Sequence, residues 1–193
     1  MKNLTQLSDQ ELVRSYMNNE SDALSVLVAR YKDKIFTSIY LLVKDKYLAE
    51  DIFQDVFIRI IDTLRNGRYT DEGKFLPWAL RIAHNMCVDH FRKVKRGPSI
   101  KTSENHDIFE VLNFSEAGKD ERIMQNETNE KVRRMIDMLP EDQREVIILR
   151  NYADLSFKEI AELTNSSINT CLGRMRYALI NLRKMMTEKQ IAL

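Results

Sequence analysis

Three residues in this chain are of the type and spacing that hold a metal ion: His84, Cys87 and His90, in the stretch AHNMCVDHF. Each neighbouring pair stands about one helical turn apart. Successive steps of three walk round a helix, however, so three such side chains do not converge on one point. No fourth ligand accompanies them, and the expectation is no metal. Nor does the chain offer a Gly-rich phosphate loop, a nucleophile with a base beside it, or a carboxylate dyad. Catalysis therefore lacks a site, and neither enzyme activity nor a cofactor is expected. What the reactive side chains can do is bind, and their charges are sorted along the chain in a way that says to what.

The 30 Lys/Arg nearly cancel the 29 Asp/Glu, leaving a net charge of +1 that hides segregation. Phe75 to Arg96 carries five Lys/Arg against one acid, and Ser166 to Met186 carries four and no acid. Between them, Ser99 to Glu121 carries two Lys against six acids. Two basic segments flank an acidic one, a field that steers a polyanion to particular surfaces.

The elements that must position these charges read as helices. Hydrophobic residues at 44% promise real cores, and only 5 Gly and 3 Pro in 193 residues leave few places to break a helix. Ser8 with Glu11 has the form of a capping box opening SDQELVRSYMNN. A second helix is predicted from about Ser21 to Lys44, with Leu24, Leu27, Val28, Tyr31, Ile35 and Ile39 at helical spacing. A third, Leu48 to Leu64, stacks Ile52, Phe53, Val56, Phe57, Ile60 and Leu64 before Asn66-Gly67 ends it. GRYTDEGKF is a loop. The fourth helix begins near Phe75, tolerates Pro77 in its first turn, and runs to about Lys95 before Gly97-Pro98. Ser99 to about Asp120 reads as an acidic linker, partly ordered around Ile108 to Phe114. Helices then resume over Glu121–Leu139, Glu141–Asn151, Ser156–Thr164 and Ser167–Thr187. No run is apolar enough to span a bilayer, and MKNLTQLSDQEL lacks a signal-peptide core. Cys87 and Cys171 do not form a disulfide framework. The expectation is a cytoplasmic, all-α chain of two small helical domains joined by an acidic flexible linker.

The last pair of helices is the most informative. Ser156 with Glu159 repeats the capping box, and Ile160, Ala161 and Leu163 supply a buried face, Ala161 being small enough for a close helix crossing. Ser166 or Ser167 caps the longer helix. Its predicted inward stripe is Ile168, Cys171, Met175, Ala178, Leu182 and Met185; Asn169, Thr170, Gly173, Arg174, Arg176 and Tyr177 face outward. A short helix, a tight turn and a longer helix with small polar and Arg residues outward is helix-turn-helix geometry. In it the second helix enters the major groove, and Arg meets a guanine edge or a phosphate. A plain helical hairpin with a solvated basic face has the same periodicity.

DLSFKEIAELTNSSINTCLGRMRYALINLRK resembles the promoter-reading helix-turn-helix of bacterial extracytoplasmic-function sigma factors, of sigma-70 type. Leu155, Ser156, Glu159, Ile160, Ala161, Thr170, Arg174 and Ala178 match, and LPEDQREVIILRNYADLS is similar to the segment packed beneath. Leu172 stands where Lys or Arg is usual, and Gly173 where Ser is common. Leucine can touch a thymine methyl but donates no hydrogen bond; each lost base contact weakens readout by about 1–3 kcal/mol. AEDIFQDVFIRI resembles the family's polymerase-docking helix through Asp51, Gln54, Asp55, Val56 and Phe57. FLPWALRIAHNMCVDHFRKVKR resembles the segment that recognises and opens the minus-10 element, through Phe75, Trp78, Ile82, Ala83, Asn85, Asp89 and Arg92. INTCLGRMRYALINLRKM is similar to variants in Bacteroidota.

This resemblance implies an ECF-type sigma factor that binds core RNA polymerase, directs it to promoters and aids DNA melting. It implies a region 2 domain over 1–97, an acidic linker over 98–122 that runs toward the RNA exit path, and a region 4 domain over 123–193. Core polymerase would bind through Asp51, Gln54, Asp55, Phe57, Ile58 and Asp62. The minus-10 strand would meet Arg68, Lys74, Phe75, Trp78, Arg81, Asn85, Asp89, Arg92, Lys93 and Arg96, with Tyr69 in the loop that cradles an extruded base. The minus-35 element would meet Ser167, Asn169, Thr170, Leu172, Gly173, Arg174, Arg176 and Tyr177. The partners implied are the clamp helices of the largest polymerase subunit, the flap of the second-largest, and promoter DNA. An anti-sigma factor or another DNA-bound recruiter would join them. No membrane insertion is expected, and the free chain would be a monomer. The other readings are a stand-alone helix-turn-helix regulator acting on duplex DNA and, resting only on His84, Cys87 and His90, a metal-dependent helical enzyme.

Overall fold

Ser8 opens the first helix as its sequence announces. Its hydroxyl accepts from the Glu11 N–H, and Glu11 Oε2 accepts from the Ser8 N–H at 2.8 Å, so two otherwise orphaned amides are satisfied together. The computed structural model describes residues 4–70, 73–96 and 131–188, and contacts divide the chain into two units, Met1–His106 and Asp107–Leu193. Among the described residues every regular element is helical, and the fold is all-α.

The first unit holds α1 (Asp9–Met17), α2 (Ser21–Val43), α3 (Lys46–Arg65) and α4 (Phe75–Arg96), preceded by a single 3-10 turn, Leu4–Gln6. α2 is the central element and packs against the other three. Its Leu27, Ile35 and Ile39 are fully buried with Leu12 of α1, Ile60 and Leu64 of α3, and Phe75 and Leu80 of α4. Each such side chain contributes about 1.5–3 kcal/mol by leaving water. Asp9 fastens the N-terminus to α2: one carboxylate oxygen pairs with Arg30 and the other accepts from the Tyr31 hydroxyl at 2.6 Å. Burial, and then this hydrogen bond to Asp9, push the Tyr31 phenol up to about 12.

The helix ends are written in turn chemistry. α1 and α3 each close with a left-handed residue after the cap, Asn19 (φ 69°) and Gly67 (φ 62°). The next amide then reaches back five residues, Glu20 to the Ser15 carbonyl and Arg68 to the Thr63 carbonyl. α3 starts two residues before the expected Leu48, because Asp45 is its N-cap and accepts from the Leu48 N–H at 3.0 Å.

In the second unit, helical residues 131–137 precede α5 (Glu141–Ile147), a π turn (Ile148–Tyr152), α6 (Phe157–Leu163) and α7 (Ile168–Glu188). The π turn departs from the single regular helix expected over Glu141–Asn151. Val146, Ile147, Ile148 and Leu149 are all buried, a wider run than one stripe of a regular helix covers. The Ala153 amide meets the Ile148 carbonyl five residues back, widening the coil where that run is buried. Ile136, Leu139, Ile147 and Ala178 form the core beside α7, with Met175, Leu182 and Met185 against it. The acidic linker expected over Ser99–Asp120 lies outside the described residues, as do Gly97-Pro98 and Glu121–Glu130.

Candidate nucleic-acid and polymerase interfaces

On α3 the buried stripe of Ile52, Val56, Ile60 and Leu64 turns the opposite side to solvent. That side carries Asp51, Gln54, Asp55, Ile58 and Asp62, all exposed, with Ile58 58% exposed in its middle. A large aliphatic side chain surrounded by carboxylates suits a basic partner that brings its own apolar contact. Phe57 is placed differently. It is half-buried and packs edge-on against Phe53 at 4.8 Å, so it shapes the seam beneath the face. Tyr47, 70% exposed, joins the face one turn before Asp51. It was missed because the helix was expected to begin at Leu48; only the Asp45 cap, read earlier, would have revealed it.

α4 separates its roles by face. Arg81, Asn85, Asp89 and Arg92 recur at three- and four-residue steps on the exposed side, and Lys93 stands exposed beside them. Arg92 donates to Asp89 at 3.3 Å, a solvent-exposed pair that costs little to open. Phe75 is not on this surface. It is 1% exposed, with its ring 5.9 Å from Tyr31 and 5.8 Å from Trp78. Tyr69 of the loop is also buried, its ring 4.5 Å from Trp78. Trp78 itself is half-buried, in tilted contact with the Phe75 and Tyr69 rings. Arg68 and Lys74 are exposed on either side of the loop. The side chain of Arg96 lies outside those described.

His84 and Cys87 point into the core, at 6% and 1% exposure, while His90 is half-buried beside Phe91 at 6.0 Å. Burial pushes the Cys87 thiol up to about 12. Among the described residues no three His, Cys, Asp or Glu side chains gather as metal ligands would.

α6 and α7 form the helix-turn-helix. Ser156 and Glu159 make the reciprocal cap of α6, with the Ser156 N–H donating to Glu159 Oε2 at 2.8 Å. The turn closes through Asn165 in the left-handed region (φ 49°), and the Ser166 amide reaches the Ala161 carbonyl at 3.0 Å. Of the two candidate caps for α7 it is Ser167 that serves, accepting from the Thr170 N–H at 3.0 Å; Ser166 instead contacts Cys171 Sγ. Asn169, Thr170, Arg176 and Tyr177 are exposed as expected.

Four placements on α7 differ from expectation or add to it. Ile168, assigned to the inward stripe, is 46% exposed, because the first turn of α7 has not yet reached the core. Arg174 is drawn to the protein, its Nε 3.2 Å from Asp142 of α5, with 27% of its side chain accessible. Asp142 was not foreseen, since an ion pair between elements leaves no periodic trace. Leu172 is 46% exposed, and Gly173 has nothing within 4 Å of where a Cβ would stand.

Comparison with known proteins follows this division. The family description "Sigma-70 region 2" matches residues 27–97 and "Sigma-70, region 4" matches residues 129–179. The RNA polymerase sigma-H factor of Pseudomonas aeruginosa is 32% identical over 176 residues, 89% of this chain and 90% of that protein. The ECF RNA polymerase sigma-E factor of Escherichia coli is 30% identical, covering 88% and 90%. SigW, an ECF sigma factor of Bacillus subtilis, is 28% identical over 91% and 95%. Among solved structures, CnrH in complex with the cytosolic domain of CnrY has a TM-score of 0.65 at 20% identity, covering 94% of this chain and 99% of that one. The sigma factor RpoE of Bartonella quintana, solved with the anti-sigma factor NepR, has a TM-score of 0.64 at 18% identity, covering 85% and 96%.

Proposed function

The chain belongs to the extracytoplasmic-function group of the sigma-70 family, and from that premise we propose how its surfaces divide the work of an RNA polymerase sigma factor. The chain is a non-catalytic initiation subunit of the cytoplasm that binds core RNA polymerase and directs it to promoters. Residues 1–97 act as the polymerase-binding and minus-10 domain, 98–122 as the acidic linker, and 123–193 as the minus-35 domain.

The acidic face of α3 docks on the clamp helices of the largest subunit, with Asp51, Asp55 and Asp62 meeting basic side chains and Ile58 supplying the desolvated centre. Tyr47 extends that contact by a turn. Arg81, Asn85, Arg92 and Lys93 of α4 carry the backbone of the opened minus-10 strand, and the half-buried Trp78 is offered to an unstacked base. α7 enters the major groove at the minus-35 element through Asn169, Thr170, Leu172 and Arg176. The second unit also takes the flap of the second-largest subunit. An anti-sigma factor or a DNA-bound recruiter is a further partner, as one relative was solved with an anti-sigma factor. Likeness to Bacteroidota variants is carried by Ile168–Met185 alone.

The observation that carries this reading is the pairing of an exposed acidic face on α3 with exposed basic faces on α4 and α7, each backed by a buried stripe. Capture of core polymerase tests it. Wild-type chain co-elutes with core enzyme in gel filtration, and Asp55→Arg reduces that affinity by about tenfold or more, a loss of about 1.4 kcal/mol. A chain that footprints duplex DNA alone and ignores core polymerase is the stand-alone regulator instead.

A further inference from the structure

A glycine usually has a reason within the protein. Gly67 and Gly73, both outside the helices, have one at φ +62° and +69°, where side chains are strained. Gly173 has neither kind. It lies inside α7 with no left-handed φ, and a Cβ built on it meets nothing within 4 Å. Backbone geometry does not ask for glycine there, and no neighbour excludes a methyl group. Glycine is nonetheless the costliest residue after proline in a helix interior, because it surrenders the most backbone freedom.

The surroundings point outward. At three and four residues from Gly173, and so around it on the helix surface, stand Asn169, Thr170, Arg176 and Tyr177, all exposed. Gly173 itself is half-buried among them, and Leu172 adds an exposed aliphatic side chain beside it. An apolar group next to a gap suits the thymine methyls and base edges of the major groove better than phosphates, which call for charge. Arg174, the nearest cation in sequence, is turned toward Asp142 and does not fill the gap.

Resting on the reading of α7 as the minus-35 helix, we infer that Gly173 is its point of closest approach to DNA. The absent side chain lets the helix sit deep enough for Leu172 and Arg176 to reach base edges. Gly173 is thus a specificity-determining position of this chain through what it leaves open.

The test separates helix stability from DNA seating. Holoenzyme is assembled from core polymerase of the organism encoding the chain and either wild type, Gly173→Ala, Gly173→Leu or Thr187→Ala. Transcript starts are then mapped on that organism's genomic fragments. Gly173→Ala should raise the thermal midpoint of the free chain, leave core polymerase binding unchanged, and lower sigma-dependent transcripts about tenfold, with Gly173→Leu lower still. Thr187→Ala, which stiffens the far end of the same helix, should leave transcripts at the wild-type level. If Gly173→Ala matches wild type in transcription, Gly173 is not a close-approach position and the inference falls while the family function stands. If wild-type holoenzyme initiates nowhere that core enzyme does not, the reading beneath it fails first.

Discussion

Cys87 and Tyr31 are held protonated by their surroundings, and that sets how the folded state answers alkali. Their folded values are raised to about 12, from 9.0 for the thiol and 10.0 for the phenol. Raised values favour folding as long as the unfolded groups keep their protons, so the contribution is complete below about pH 9. It drains as pH climbs toward 12, because the unfolded thiol and phenol ionise first. The urea midpoint should therefore fall between pH 9 and 11, and Cys87→Ala should flatten that fall; an unchanged slope would mean the thiol is not desolvated. The core position of Cys87 was not foreseen from its spacing with His84 and His90. Spacing ruled out convergence on an ion, but only packing shows where each group goes. Phe75 makes the same point, since an aromatic residue in a basic segment reads as core packing or as a base-stacking platform until its neighbours are known. Here Tyr31 and Trp78 take it.

Helices were legible because their ends are chemically marked. Both Ser-x-x-Glu capping boxes form as read, and the Asn-Ser-Ser turn closes with Asn165 left-handed. Ser156→Ala should cost about 1 kcal/mol in denaturant unfolding of the full chain, and Asn165→Val about 1–2 kcal/mol, because a β-branched residue resists positive φ. Equal stability of all three proteins would show that the turn is held elsewhere. The π turn at Ile148–Tyr152 was not legible, since hydrophobic spacing there also fits a regular helix continued for one more turn. Tyr47 was missed and Ile168 misplaced for a related reason: periodicity says which residues share a face, but element ends decide which of them meets the core.

Among the described residues, exposed charge is sorted by element: acid on one face of α3, base along α4 and on α7. Because the net charge is only +1, attraction to DNA should come from these faces in the presence of polymerase more than from the free chain. Arg92→Ala with Lys93→Ala should accordingly reduce open-complex formation, read by permanganate reactivity of unpaired thymines, more than it reduces core polymerase binding. Equal losses in both would assign these residues to docking instead. The central claim is that this chain makes core polymerase start RNA at places it otherwise ignores. Its most direct test is transcript-start mapping on genomic DNA with core enzyme alone, with wild-type chain, and with Asp55→Arg. New starts preceded by a shared pair of upstream elements, present with wild type and largely lost with Asp55→Arg, are the predicted result. Identical start sites with and without the wild-type chain would contradict it.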